Sequence, residues 1–92
     1  VEIFTGKPYT IVDAEDNWEI RYFRNENPKQ LFWHRDKESR EMEVLEGEIG
    51  FQFDNCLPKT IKPGQFVSIP EGTYHRVIAK SSFVVKIYKY NT

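Results

Sequence analysis

The stretch Gly64-Gln65-Phe66-Val67-Ser68-Ile69-Pro70-Glu71-Gly72-Thr73-Tyr74-His75 decides the fold. Residues 65–69 read as a short strand, Pro70-Glu71-Gly72 breaks it, and residues 73–79 resume strand-like sequence. Pro63-Gly64, just ahead, is a second strong turn signal. Each turn joins a fixed φ to a permissive one, so the chain reverses sharply at both ends of the strand. Gly47, Pro63, Gly64, Pro70 and Gly72 are expected to act as corners only, aiming His75 inward at the start of its strand.

The same period of two runs through most of the chain. Trp18, Ile20 and Tyr22 alternate with Glu19, Arg21 and Phe23. Residues 30–34 form another short extended run, and residues 25–29 are expected to make one irregular turn. Met42 and Val44 alternate with Glu41, Glu43 and Leu45, and Ile49, Phe51 and Phe53 follow Gly47. Gly47 falls between two strand patterns, where a hairpin needs a residue tolerant of positive φ. Residues 54–58 are turn-like, Thr60-Ile61 is extended, and residues 83–90 make a strong last strand. No stretch of about eleven residues carries a helical apolar stripe. Eight or so short strands separated by turns predict an all-β sandwich or barrel, and a jelly roll meets the edge problem by wrapping two sheets face to face.

Composition sets the limits. Ninety-two residues are expected to form one domain, residues 1–92, with one modest core. Thirteen Lys and Arg against 14 Asp and Glu leave a net charge of -1, which gives no electrostatic reason to expect nucleic acid. No apolar run approaches the roughly 20 residues of a membrane span, and no signal peptide is visible after Val1. The single cysteine, Cys56, cannot form an internal disulfide, and this leans cytoplasmic.

The two histidines of the chain, His34 and His75, both lie in strand-like sequence, 41 positions apart. If His34 faces the interior, so do Phe32 and Asp36, because side chains alternate along a strand. His75 shares its face with Val77 and Ala79. Two imidazoles and one carboxylate, His34, Asp36 and His75, converging from different strands are the minimal set for a divalent transition metal with open coordination positions.

These residues carry a family resemblance. The sequence resembles a small single-domain cupin, whose second motif is G-x5-P-x-G-x2-H-x3-N. Gly64, Pro70, Gly72 and His75 match it at each spacing, and Ala79 replaces the final Asn. The first motif, G-x5-H-x-H-x3,4-E-x6-G, survives as His34, Asp36, Arg40 and Gly47, with the second His and the Glu replaced. The resemblance implies a cupin-type jelly-roll β-barrel, a homodimer, and an inward-facing Arg40 accompanied by Met42 and Val44. Glu41 and Glu43 then face the other way, unless a one-residue bulge turns Glu41 inward as a fourth ligand.

Two readings of the site stay open. In one, His34, Asp36 and His75 hold Fe, Mn, Zn or Ni, and Arg40 orients a small acidic ligand, with Met42, Phe51 and Phe53 as pocket wall. An enzyme of this kind would be a metal-dependent dioxygenase or isomerase. In the other, Arg40 pairs with Asp36, repels a dication, and anchors an anionic ligand in a metal-free binding module. A non-catalytic assembly scaffold is a third alternative. The His-x-Asp spacing with a distal His also resembles the Fe(II)/2-oxoglutarate oxygenases, in which a basic residue follows the distal His. Lys86 stands eleven positions after His75, and a solvated strand face is its simpler reading. Trp33 and Tyr74, next to the histidines, should point away from the site. The basic residues of 83–90 read as a charged guard on a sheet edge.

Overall fold

The computed structural model describes residues 3–4, 9–24, 33–79 and 81–90. Among them are nine strands and no helix. They are β1 (Ile3–Phe4), β2 (Tyr9–Ala14), β3 (Trp18–Phe23), β4 (Ser39–Glu46), β5 (Ile49–Phe53), β6 (Lys59–Ile61), β7 (Phe66–Ile69), β8 (His75–Ala79) and β9 (Phe83–Tyr90). One sheet has the order β1-β2-β3-β9-β4-β7, the other β6-β5-β8, and all pairings are antiparallel. This is the all-β jelly roll that the alternation predicts. Phe32, most of the extended run at 30–34 and the turn at 25–29 lie outside the described residues.

The inner faces of both sheets supply one core. Met42, Val44, Phe83, Val85 and Ile87 come from the larger sheet, and Ile49, Phe51, Val77 and Ala79 from the smaller. The alternation is sharp in β8 and in β9 as far as Ile87, where every second residue is buried. Val44 faces Val85 across the β4–β9 ladder, and both are fully buried. Phe23 and Phe83, opposite each other in register, stack with centroids 4.5 Å apart.

Two sequence expectations are corrected. Gly47 has φ 83°, as expected, but it does not close a hairpin: β4 and β5 belong to different sheets. A bulge between Val44 and Glu46 bends β4 away from β9, and Gly47 carries the chain across to the smaller sheet. A Cβ at Gly47 would lie 2.9 Å from both Phe83 Cβ and Ser82 O, so the position needs glycine twice over. β9 is not an edge, because it is paired on both sides, by β3 and β4. In β2 the burial does not alternate. A bulge between Ile11 and Asp13 in β2 offsets the pattern by one residue.

Candidate metal centre

The site forms where residues 33–36 run beside the start of β8. His34 and His75 donate their main-chain N–H groups to each other's carbonyls, at 3.0 and 2.9 Å. Such a pair puts its two side chains on the same face of the sheet. The imidazole centroids are 4.3 Å apart at 62°. Two residues on, the carbonyl of Asp36 accepts the N–H of Gly72 at 2.9 Å, and Ser39 Oγ accepts the N–H of Glu71 at 3.2 Å. The turn at residues 70–72 is therefore more than the corner expected of it. It holds the main chain that presents Asp36, and Gly72 does so with φ 75°.

His34, Asp36 and His75 converge as the parity argument predicts, with one ligand atom from each lying within 4.8 Å of the others. Asp36 Oδ1 is 3.7 Å from His34 Nε2, and Asp36 Oδ2 is 3.5 Å from His75 Nε2. Their exposures differ: the side chains of His34, Asp36 and His75 are 49%, 8% and 3% exposed. The ring of Phe51 stacks on His75 at 5.3 Å and 18°, and Phe53 meets Phe51 edge-on. Met42 is buried in the core on the facing sheet, and Phe53 is half-buried against the core cluster.

The chemistry of His75 is defined by its second nitrogen. Nδ1 lies 2.8 Å from the carbonyl of Thr73. A carbonyl only accepts, so Nδ1 carries the hydrogen and Nε2 presents a lone pair toward Asp36. Burial pushes the pKa of His75 below its ordinary value, and the charges of His34 and Arg40 add to this. The Thr73 hydrogen bond and Asp36 oppose the shift without cancelling it. A neutral imidazole lone pair thus faces Asp36 Oδ2, which is buried and has no hydrogen-bond partner. A buried acceptor left in this condition costs about 1–3 kcal/mol, and more when charged. A cation placed between the two lone pairs removes that cost. The donor set of two imidazoles and a carboxylate fits a divalent transition metal on this ground.

Arg40 faces inward, on the same side of β4 as Met42. Its Nε and Nη2 both donate to Glu38 Oε1, at 3.2 and 2.9 Å, while Nη1 is 3.3 Å from Asp36 Oδ1. The Arg40 hydrogen bonds hold the Glu38 carboxyl below its usual range, against the opposing effect of burial; the charges of Arg40 and Lys89 add to the lowering. Glu41 does not turn inward. The β4 ladder is regular from Arg40 to Val44, and Glu41 stands opposite Tyr88 on the outer face. Lys86 is also outside, its ammonium 4.3 Å from the Trp18 ring and 4.9 Å from that of Tyr88, so it has no place at the histidines.

Sequence reading missed the charges beside this site. Glu19 and Arg21 share the inner face with Phe23 and are bonded at 2.6 Å. Lys89 donates to Glu19 at 2.9 Å and stands opposite Arg40 in the β4–β9 register. Burial raises the Glu19 pKa, but hydrogen bonds from Lys89 and Arg21 outweigh it and leave the group below its usual range. The available signal was parity: Lys89 falls on the face of Ile87 and Val85. Trp33 and Tyr74 point away from the histidines as expected. They stack on each other at 5.7 Å, with Arg76 over Trp33 and Arg35 over Tyr74.

No protein-family model and no curated relative matches the sequence. Solved structures do match the fold. A cupin-2 domain protein from Shewanella frigidimarina superposes with a TM-score of 0.68 at 19% identity, over 86% of this chain and 76% of its own. A cupin superfamily protein from Desulfitobacterium hafniense gives 0.69 at 17% identity, over 90% and 76%. A putative mannose-6-phosphate isomerase from Ralstonia eutropha gives 0.71 at 17% identity, over 100% and 86%. These likenesses, together with two facing antiparallel sheets and no helix among the described residues, show that the chain has the fold of a small cupin domain.

Proposed function

We propose that this domain binds one divalent transition metal, Fe, Mn, Zn or Ni, through His34, Asp36 and His75, and uses it to bind or transform a small acidic molecule. The observation that carries the reading is Asp36 Oδ2, buried, unpartnered and 3.5 Å from the lone pair of His75. A bound ion would supply Lewis acidity to a ligand oxygen, and three protein ligands leave positions open for that oxygen.

The remaining roles belong to this chain's own side chains. Phe51 braces the His75 imidazole, and Thr73 fixes its tautomer. Arg40, anchored on Glu38, keeps Nη1 beside Asp36, where it would receive a carboxylate or phosphate oxygen of the ligand. Phe53 and Met42 would border the apolar side. The Ralstonia eutropha neighbour, a putative isomerase of a sugar phosphate, is consistent with an anionic polar ligand.

A second reading has its own observation. Arg40 Nη1 at 3.3 Å from Asp36 Oδ1 is the contact a metal-free anion pocket requires. That contact serves Oδ1 and leaves Oδ2 orphaned, so we place the metal first. In both readings the protein works as a cytoplasmic homodimer, paired through the outer face of the larger sheet. Trp18, Ile20, Tyr22 and Val84 lie half-buried on that face.

Elemental analysis of protein purified without a metal-affinity step tests the proposal. About one equivalent of a transition metal, present or restored on reconstitution, is the expected result. Less than about a tenth of an equivalent after reconstitution leaves the metal-free pocket as the reading.

A further inference from the structure

Metal binding at Asp36 poses an electrostatic problem. Arg40 Nη1 is 3.3 Å from Asp36 Oδ1, so a dication at the triad and a guanidinium would compete for one carboxylate. Arg40 cannot leave by moving its backbone. Its Cα is held between Ile69 of β7 and Lys89 of β9, on a strand paired on both sides. Only the side chain can be redirected.

Glu38 redirects it. The residue sits just ahead of β4, next to Ser39, whose hydroxyl is tied to the turn at residues 70–72. Its Oε1 takes both Nε and Nη2 of Arg40. Two of the three guanidinium nitrogens are therefore committed to Glu38, and one reaches Asp36. The positive charge is compensated by a carboxylate that is not among the three converging ligands.

We infer that Glu38 is a positioning residue that lets a divalent metal and Arg40 occupy the site together, by holding and neutralising the guanidinium that would otherwise take over Asp36. The inference rests on the metal reading and adds to it a residue that touches neither ion nor ligand. Without the Glu38 charge, Arg40 is free to pair both of its terminal nitrogens with the Asp36 carboxylate, and the ion loses its anionic ligand. The arrangement also explains how the chain tolerates an arginine where cupins carry a metal-binding glutamate.

The test is a titration of metal-stripped protein with zinc chloride, followed by calorimetry, on four proteins: wild type, Glu38→Gln, Arg40→Gln and the double variant. Glutamine keeps the shape of glutamate, and far-UV circular dichroism confirms folding of each. Glu38→Gln is expected to weaken zinc binding roughly tenfold, the scale on which outer partners of metal ligands act. In the Arg40→Gln background, the same change should have no effect. Equal loss in both backgrounds, or no loss in either, overturns the inference. If Arg40→Gln binds zinc and wild type does not, the triad stands but Glu38 fails in the role assigned to it. If none of the four binds zinc, the metal reading itself falls, and this inference with it.

Discussion

His34 and His75, 41 positions apart in sequence, exchange both of their main-chain hydrogen bonds and bring their rings to 4.3 Å. The pairing is made by the backbone, so the imidazoles are placed without being needed to hold the strands together.

Replacing His34 therefore separates site from fold. Its side chain is half exposed, whereas that of His75 is buried. His34→Ala is expected to lower zinc affinity by at least tenfold while changing stability by no more than about 0.5 kcal/mol, as at other exposed positions. Calorimetric titration and urea denaturation measure the two effects. A loss of several kcal/mol in stability would show that the ring is structural.

Acid should weaken the metal-free protein in two windows. The folded pKa of His75 lies below its ordinary value of 6.5. Between these values the unfolded chain binds more protons, so stability rises with pH there. It is complete above 6.5 and is lost as pH falls through the folded value. Glu19 and Glu38, both lowered from 4.5, add stability that is present above 4.5 and is lost through their own folded values. Urea midpoints recorded with chelator should fall between pH 7.5 and 5.5 and again below 4.5. His75→Gln should flatten only the upper step; an upper step unchanged in that variant would assign it to another group.

Glycines 47 and 72 should respond differently to alanine. Both have positive φ, at 83° and 75°, but a Cβ meets nothing within 4 Å at Gly72 and clashes at Gly47. Gly72→Ala is expected to cost about 1–2 kcal/mol, the left-handed backbone penalty alone. Gly47→Ala should cost more, because Phe83 Cβ and Ser82 O must also move. Equal urea midpoints for the two variants would contradict this account of the crossing between sheets.

The Trp33–Tyr74 stack lies outside the barrel but secures the segment that carries His34 and Asp36. Trp33→Ala is expected to cost about 1 kcal/mol from the lost ring pair and to weaken zinc binding as the segment loosens. Trp33→Phe should retain both. An alanine variant with full metal affinity would show that the main-chain bonds suffice.

Much of this was legible in the sequence because the deciding signals are local. Gly64, Pro70, Gly72 and His75 sit at fixed spacing, and parity alone put His34 with Asp36 and His75 with Val77. What escaped were properties of pairing. Gly47 looked like a hairpin turn because nothing local says which strand the next one will pair with. The basic residues of β9 looked like an edge guard because only the register reveals that β3 and β4 flank them. Glu19 and Arg21 were hidden by an alternation in which both faces are partly apolar. Their inward placement follows from their partners Ile87 and Val85 in β9. Glu38 gave no sign, since its meaning depends on where Arg40 folds.

The mutual bridge between His34 and His75 has a further consequence for a chain with one cysteine. An ion ligated by both imidazoles would tie together two points of the chain 41 positions apart. While the ion stays bound to both imidazoles in the unfolded chain, closing a loop of that length removes denatured-state freedom worth about 4 kcal/mol on the chain-entropy treatment of cross-links. The ion would then serve as a reversible staple, in the role that a disulfide plays in other small β domains.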